Sequence, residues 1–414
     1  MKYLVLTFLV CTSLAFAEVR QIDEYQWEGV DRVVAVGDVH GDYDNYLATL
    51  LAAGIVNSKG KWTGGATHLV QTGDIPDRGP DTEKIIEHIS RLDNQARRKG
   101  GRVHSLIGNH EAMNVYGDLR YVSAGEYEAF TTRRSEALRD RYFELYLQGF
   151  EAQDPEGFAA RPADFRDRWN LEHPLGWVEH RQAWDPAWNP EGQYVKWVLG
   201  NKVAIRINDT LFLHGGISGF YCQNSLEWIT EKVLSSLRNF QPGNAGILED
   251  DFGPLWYRGL SGVEPTAAPE TVDAILAHHG ARHIVVGHTV TSGVIWPRYD
   301  GKVIMIDTGI SEAYGGHLGY LEIASEGLFA GYQEAKLPLP AGDDDVIAYL
   351  EKVIQLKPGN PYLRERLEQL QQPPPPAEPI EPTAGETAQP GETAQPGETV
   401  EPTAPAIPTC GLAR

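Results

Sequence analysis

Five short polar clusters in this 414-residue chain carry groups that bind cations and move protons. Gly37-Asp38-Val39-His40-Gly41 offers a carboxylate and an imidazole two residues apart. In extended chain such side chains point the same way and can grip one cation. Gly73-Asp74-Ile75-Pro76-Asp77-Arg78-Gly79 adds two carboxylates and a guanidinium, and Gly108-Asn109-His110-Glu111 sets an amide oxygen beside an imidazole. His214 and His288 contribute two more imidazoles. Hard carboxylate and amide oxygens mixed with imidazole, without a thiolate, suit Mn, Fe or Zn. Two such divalent ions about 3.5–4 Å apart, bridged by a carboxylate, make a nucleophile from water at neutral pH and polarise a phosphoryl oxygen. Each cluster alone is weak. A strand-end Asp is more often a cap or turn residue, and most of the 13 histidines would be surface or satisfied core groups. Five clusters, all ligand-rich and all following apolar runs, point together to a dimetal centre.

The elements that must position these groups are short β-branched runs. Arg32–Val36, His68–Gln71 and Val103–Ile107 each end on one of the first three clusters. Between them, Tyr43 to Ala53 and Asp81 to Arg98 read as helices, the second with acids early and Arg97, Arg98 and Lys99 late, as the helix dipole favours. That is a βαβαβ pattern, which implies a mostly parallel sheet with covering helices and sites at the carboxyl ends of its strands. Three further strands close on His214, on Gly287-His288 and on Asp307; a turn role for Asp307 competes with a catalytic one. A final helix is expected near Asp345 to Leu356. From about Tyr116 to Gly200 the rhythm breaks, and Trp169, Trp177, Trp184, Trp188 and Trp197 occur among many charges. We expect a mostly helical cap insertion there (residues 116–200); the alternative use of these tryptophans is to pack the insertion's own core.

The chain carries 36 Lys+Arg against 57 Asp+Glu, a net charge of -21, which argues against nucleic acid as a partner. Residues 1–17 have the form of a cleaved signal peptide: Lys2, an apolar run from Tyr3 to Leu14, and Ala15-Phe16-Ala17 at the cleavage point. The competing reading is an N-terminal anchor helix, but the run is shorter than a bilayer span requires. A periplasmic or secreted protein without stable membrane insertion is therefore expected. From Pro373 the composition collapses to Pro, Glu, Thr, Ala and Gly, GETAQP occurs twice, and eleven of 27 prolines fall between Pro373 and Pro408. Residues 373–414 read as a disordered spacer, leaving 18–372 as the folded domain. Three cysteines, Cys11, Cys222 and Cys410, are too few for a disulfide framework, and Cys410 is expected to be an unpaired tail thiol.

GDVHG, GDIPDRG, GNHE, HGG and GH resemble the motifs of the calcineurin-like metallophosphoesterases, and among them the PPP-type protein phosphatases. Gly253–Gly259 and Asp307–Gly316 resemble the branch called Shewanella-like protein phosphatases. The similarity spans roughly Arg32 to Tyr332. It implies that Asp38 and His40 hold one metal, that Asp74 bridges, and that Asn109, His214 and His288 hold the second. It implies further that His110 protonates the leaving oxygen with Asp77 orienting it, and that Arg78 and Arg258 clamp the phosphate. Relatives with other substrates differ at these places: purple acid phosphatases put a metal-binding Tyr where Asp77 stands, and many nucleases end in GHxH, where this chain has Gly287-His288-Thr289-Val290. The expected architecture is a four-layer αββα sandwich (class α/β) with the cap inserted. The expected activity is phosphomonoester hydrolysis on a phosphoprotein or phosphopeptide. Small phosphate esters or nucleotides are the alternative substrates, and a noncatalytic phospholigand-binding protein is a third, weaker reading.

Overall fold

The computed structural model describes residues 19–262, 265–333, 335–372 and residue 410. The signal-peptide reading of residues 1–17, and the spacer reading of 373–414 apart from Cys410, lie outside the described residues.

Two mixed sheets form the centre, flanked by helices in an α/β sandwich. The six-stranded sheet has the spatial order Lys336–Pro338, Gly327–Gly331, Tyr320–Ala324, Arg32–Val36, His68–Gln71, Arg102–Ser105. Its last three strands run parallel, with Val34 opposite Leu69 and Leu69 opposite Val103. The seven-stranded sheet has the order Arg20–Gln21, Gln26–Glu28, Ala204–Ile207, Thr210–Leu213, His283–Val286, Val303–Met305, Trp296–Arg298. Here Thr210–Leu213, His283–Val286 and Val303–Met305 run parallel. The inner parallel strands Arg32–Val36, Thr210–Leu213, His283–Val286 and Val303–Met305 are mostly apolar and buried because both of their faces are covered, whereas the edge strand Arg102–Ser105 is more polar and only half-buried. Val34, Leu69, Ile205, Phe212, Val285 and Ile304 all belong to one continuous core.

The covering helices follow from periodicity. Thr82–Arg97 buries Ile85, Ile86, Ile89, Leu92 and Ala96 at helical spacing and packs on the strand Arg102–Ser105. Leu226–Arg238 does the same against the other sheet with Ile229, Val233, Leu234 and Leu237. The third strand ends at Ser105, two residues earlier than its sequence suggests, and Leu106 keeps only an isolated bridge to Lys202. After Val346–Leu356 the chain forms a further helix, Pro361–Gln371, that composition had not revealed.

Residues 124–199 are helical, in six segments from Ala124–Ala129 to Gln193–Leu199. The tryptophans there pack largely on one another and on local rings: Trp169 stacks on His173 at 4.2 Å, and Trp177 meets Trp188 edge-on at 5.2 Å. Trp184 is fully buried against Tyr194. None of the described helices is long and apolar enough to cross a membrane.

One expectation is overturned. Cys410 is not an unpaired thiol but is disulfide-bonded to Cys222, with 5.8 Å between their Cα atoms. The two cysteines stand 188 positions apart, and spacing alone cannot reveal so distant a partnership.

Candidate metal centre

The carboxyl ends of six parallel strands, three from each sheet, meet at one place. Arg32–Val36, His68–Gln71 and Arg102–Ser105 lead into Asp38 and His40, into Asp74 to Arg78, and into Asn109 and His110. Thr210–Leu213, His283–Val286 and Val303–Met305 lead into His214, His288 and Asp307. The turns leave no room for side chains on their glycines: a Cβ on Gly41 would lie 2.5 Å from the Gly79 carbonyl oxygen, and one on Gly73 2.6 Å from the Gly108 nitrogen. Five site residues adopt left-handed backbone, namely His40, Asp74, Asp77, Arg78 and His288, at φ 43, 58, 73, 66 and 66°. Non-glycine residues hold such conformations at a strain of order 1–3 kcal/mol each, and only where the surroundings over-determine them.

That backbone also revises how Asp38 and His40 are presented. The strand ends at Val36, so simple alternation does not govern them. The His40 ring faces Asp74, at 3.9 Å, and the His110 ring, at 4.7 Å between centroids. The Asp38 carboxylate instead accepts the His288 backbone N–H at 3.1 Å and lies 3.9 Å from the His214 ring.

Asp74 is the hub. Among the described residues, two groups can each enclose a cation, His40–Asp74–His110 and Asp74–His214–His288, and Asp74 belongs to both. Its Oδ2 lies 3.2 Å from His214 Nε2, 3.8 Å from His110 Nε2 and 3.9 Å from His40 Nε2. His214 Nε2 also approaches Asn109 Oδ1 at 2.9 Å and His288 Nδ1 at 3.1 Å. Asp38, His40, Asp74, Asp77, Asn109, His110, His214 and His288 are all buried. Arg78 and Arg258 stand exposed at the rim. Arg78 lies 4.0 Å over the Tyr121 ring, and Arg258 donates to the His288 carbonyl at 2.8 Å and to Thr289 Oγ1 at 2.9 Å.

Electrostatics sets these groups apart. Burial, then the charges of Asp307 and Asp74, push the Asp38 carboxyl well above the usual range. Burial and its neighbour His110 lower His40 to about 4, and burial with His214 and Arg258 holds His288 far down, so both imidazoles are neutral with lone pairs to offer. Burial alone would lower His110 too, but the Asp74 and Asp77 carboxylates overcome it and raise it to about 9. His110 Nδ1 sits 2.5 Å from Asp77 Oδ2; Asn114 Nδ2 donates to the other Asp77 oxygen at 3.0 Å. The Asp77 backbone N–H is held by Glu126 at 3.2 Å. Asp307 accepts the Gly309 N–H at 3.0 Å, a turn-forming contact, while its charge bears on Asp38.

Several of these partners were not singled out from sequence. Asn114 lies one turn after His110 in the helix Asn109–Tyr116, Tyr121 lies in the loop that follows, and Glu126 in the short helix Ala124–Ala129. Glu111, visible within GNHE, is fully buried and accepts the backbone N–H groups of Asp74, Ile75 and Gly108 at 2.9, 2.7 and 2.8 Å. It therefore ties the second motif to the third. Glu111→Ala should destabilise the protein by about 3–5 kcal/mol, because three buried donors lose their acceptor. Glu111→Gln should lose less. Urea denaturation measures both, and a loss within about 0.5 kcal/mol for the alanine variant, the range of an ordinary surface change, would show the contacts to be incidental.

The arrangement suits divalent cations on its own chemistry: buried carboxylates, an amide oxygen and neutral imidazole nitrogens converge, and among the described residues no Lys or Arg forms an ion pair with Asp38, Asp74 or Asp307. The model of the calcineurin-like phosphoesterase family matches residues 31–292. The chain belongs to the calcineurin-like phosphoesterases. An uncharacterized protein of Schizosaccharomyces pombe is 32% identical over 302 residues, covering 70% of this chain and 77% of its own length. Shewanella-like protein phosphatase 2 of Arabidopsis thaliana is 29% identical over 307 residues, covering 70% and 74%. Among solved structures, a cold-active protein tyrosine phosphatase of a psychrophilic Shewanella species matches with a TM-score of 0.56 at 28% identity, over 76% of this chain and 82% of that one. The phosphoesterase fold expected from the motifs is present, and this calcineurin-like phosphoesterase is a metal-dependent hydrolase with Shewanella-like protein phosphatases as relatives.

Proposed function

We propose that the chain is an exported dimetal phosphomonoesterase acting on phosphoproteins or phosphopeptides, phosphoserine/threonine or phosphotyrosine. The observation that carries the chemistry is the buried Asp74 carboxylate shared by two cation-sized groups of ligands. By the motif resemblance Asp38 would join His40 at one ion, where the structure groups His40 with Asp74 and His110, while Asn109, His214 and His288 would serve the other, and Asp74 both. When bound, two divalent ions (Mn, Fe or Zn) supply a nucleophile from water at neutral pH and neutralise phosphoryl charge.

The chain's own groups do the rest. His110 carries a proton on Nε2 because Asp77 takes Nδ1, and it delivers that proton to the ester oxygen as the P–O bond breaks. Asp77 fixes the ring's orientation and stabilises its charge. Arg78 and Arg258 at the rim meet the phosphoryl oxygens, for which a planar guanidinium fork is well matched.

The phosphoprotein assignment draws on the names of the relatives, a protein phosphatase and a protein tyrosine phosphatase. It is tested by comparing phosphopeptides with nucleotides at equal concentration. Higher kcat/KM on peptides is expected; higher values on nucleotides would replace this reading with a scavenging nucleotidase.

Export draws support from the signal-like residues 1–17 and from the Cys222–Cys410 bond, since disulfides persist in oxidising compartments. Cleavage removes Cys11 and leaves two cysteines. Mature protein from its host, denatured without reductant, should therefore show no free thiol, and two after reduction. Free thiols before reduction would count against both the bond and the compartment.

A further inference from the structure

Next to Arg258 a cleft of about 320 Å³ opens between residues 289–296 and the helix Pro361–Gln371. Its inner end is joined to the rim of the site. Thr289 Oγ1 accepts from Arg258 at 2.9 Å and shares a hydrogen bond with Ser261 Oγ at 2.8 Å, and both hydroxyl residues line the cleft. The floor is apolar and buried, made by Val294, Trp296 and Met305. At the lip, Tyr362 is 61% exposed, and Arg366 stands 5.6 Å from the Trp296 ring. The walls are pinned: Asn360 donates to the Ser292 carbonyl at 2.6 Å and accepts from the Tyr362 N–H at 3.1 Å, and Lys357 donates to the Gly293 carbonyl at 2.9 Å.

Resting on the phosphoprotein reading above, we propose that this cleft is a substrate subsite: it takes an apolar side chain of the phosphorylated polypeptide while a neighbouring acidic residue meets Arg366. Two observations favour that occupant. Thr289, which lines the cleft, accepts from the arginine assigned to the phosphate at 2.9 Å, so an extended polypeptide, advancing about 3.3 Å per residue, would bring a nearby side chain to it. Its charge also departs from that of the whole. The chain carries a net charge of -21, whereas at the lip of the cleft Arg366 sets a guanidinium over the Trp296 ring, beside Glu365, the one carboxylate among the described residues of the lining. An acidic segment repelled elsewhere is attracted here, an arrangement that confers specificity. The volume lies near the lower end for ligand sites and suits one large side chain.

The test uses the full metal-loaded chain, a chromogenic phosphate ester, and phosphopeptides that differ only in flank: Leu-Glu, Leu-Lys, Gly-Glu or Gly-Lys. The Leu-Glu peptide should exceed Gly-Lys at least about tenfold in kcat/KM, chiefly through KM, the scale of one well-filled pocket. Arg366→Glu should reverse the Glu-over-Lys ranking, and Tyr362→Ala should erase the Leu-over-Gly ranking. Both should leave the chromogenic ester unchanged, since it does not reach the cleft. An unaltered flank ranking in both variants overturns the subsite. Turnover of the ester with none of any peptide overturns the phosphoprotein reading itself, and the subsite with it. A preference seen only after residues 373–414 are deleted gives the cleft to the chain's own tail, and one that fades with rising protein concentration gives it to a second copy; either result overturns the proposal.

Discussion

Asp74→Asn is expected to lower kcat on a chromogenic phosphate ester by at least about 10³-fold, the scale of loss when a member of a catalytic unit is removed. The substitution keeps an oxygen that can accept the His110 N–H, which Asp74 Oδ1 now does at 2.9 Å, so the local fold should survive. What disappears is the negative charge shared by the two groups of ligands. Bound metal should fall with the rate. The metal-free protein offers an independent readout. Its His110 is raised to about 9, against burial, by Asp74 and Asp77. A raised imidazole contributes stability that is fully present below its unfolded value of about pH 6.5 and is lost as pH rises through about 9. Asp74→Asn should shift that loss to lower pH, visible in a urea titration across pH or in the His110 NMR titration. A variant within tenfold of the parent rate, with its full metal content, would contradict the assignment.

His110→Ala is expected to leave metal content unchanged while slowing esters of poorly acidic alcohols by about 10²–10⁴-fold, the usual contribution of a general acid. Esters of strongly acidic phenols need little protonation of the departing oxygen, so their loss should stay under about tenfold. The geometry gives the reason: with Nδ1 engaged by Asp77 at 2.5 Å, the remaining nitrogen, Nε2, faces the hub carboxylate, where the proposed reaction would take place. Equal slowing of good and poor leaving groups would remove His110 from that role and leave it as an added ligand beside His40 and Asp74.

The residues that meet at the candidate site were legible because their chemistry sits at strand ends, where a β-branched run breaks into Gly-Asp or Gly-His. Strand order, and the meeting of two sheets at one point, follow from long-range pairing that no local pattern contains. The side chains bracing the site were harder to see. Asn114 and Glu111 act through helix geometry at spacings of four and one from His110, and Glu111 was on view without its task. Tyr121 and Glu126 come from the segment 116–200, whose periodicity is weak. The helix Pro361–Gln371 escaped notice because Arg364, Glu365, Arg366 and Glu368 crowd it with charge just before the Pro-rich segment. The Cys222–Cys410 bond joins distant segments, and composition argued for the opposite.

Elemental analysis of the purified protein, beside its rate on a chromogenic ester before and after chelation, tests the central claim most directly. Two divalent ions per chain are expected, with turnover lost on chelation and restored by one of Mn, Fe or Zn. Protein that holds no metal, or that hydrolyses the ester equally well when stripped, would contradict the account.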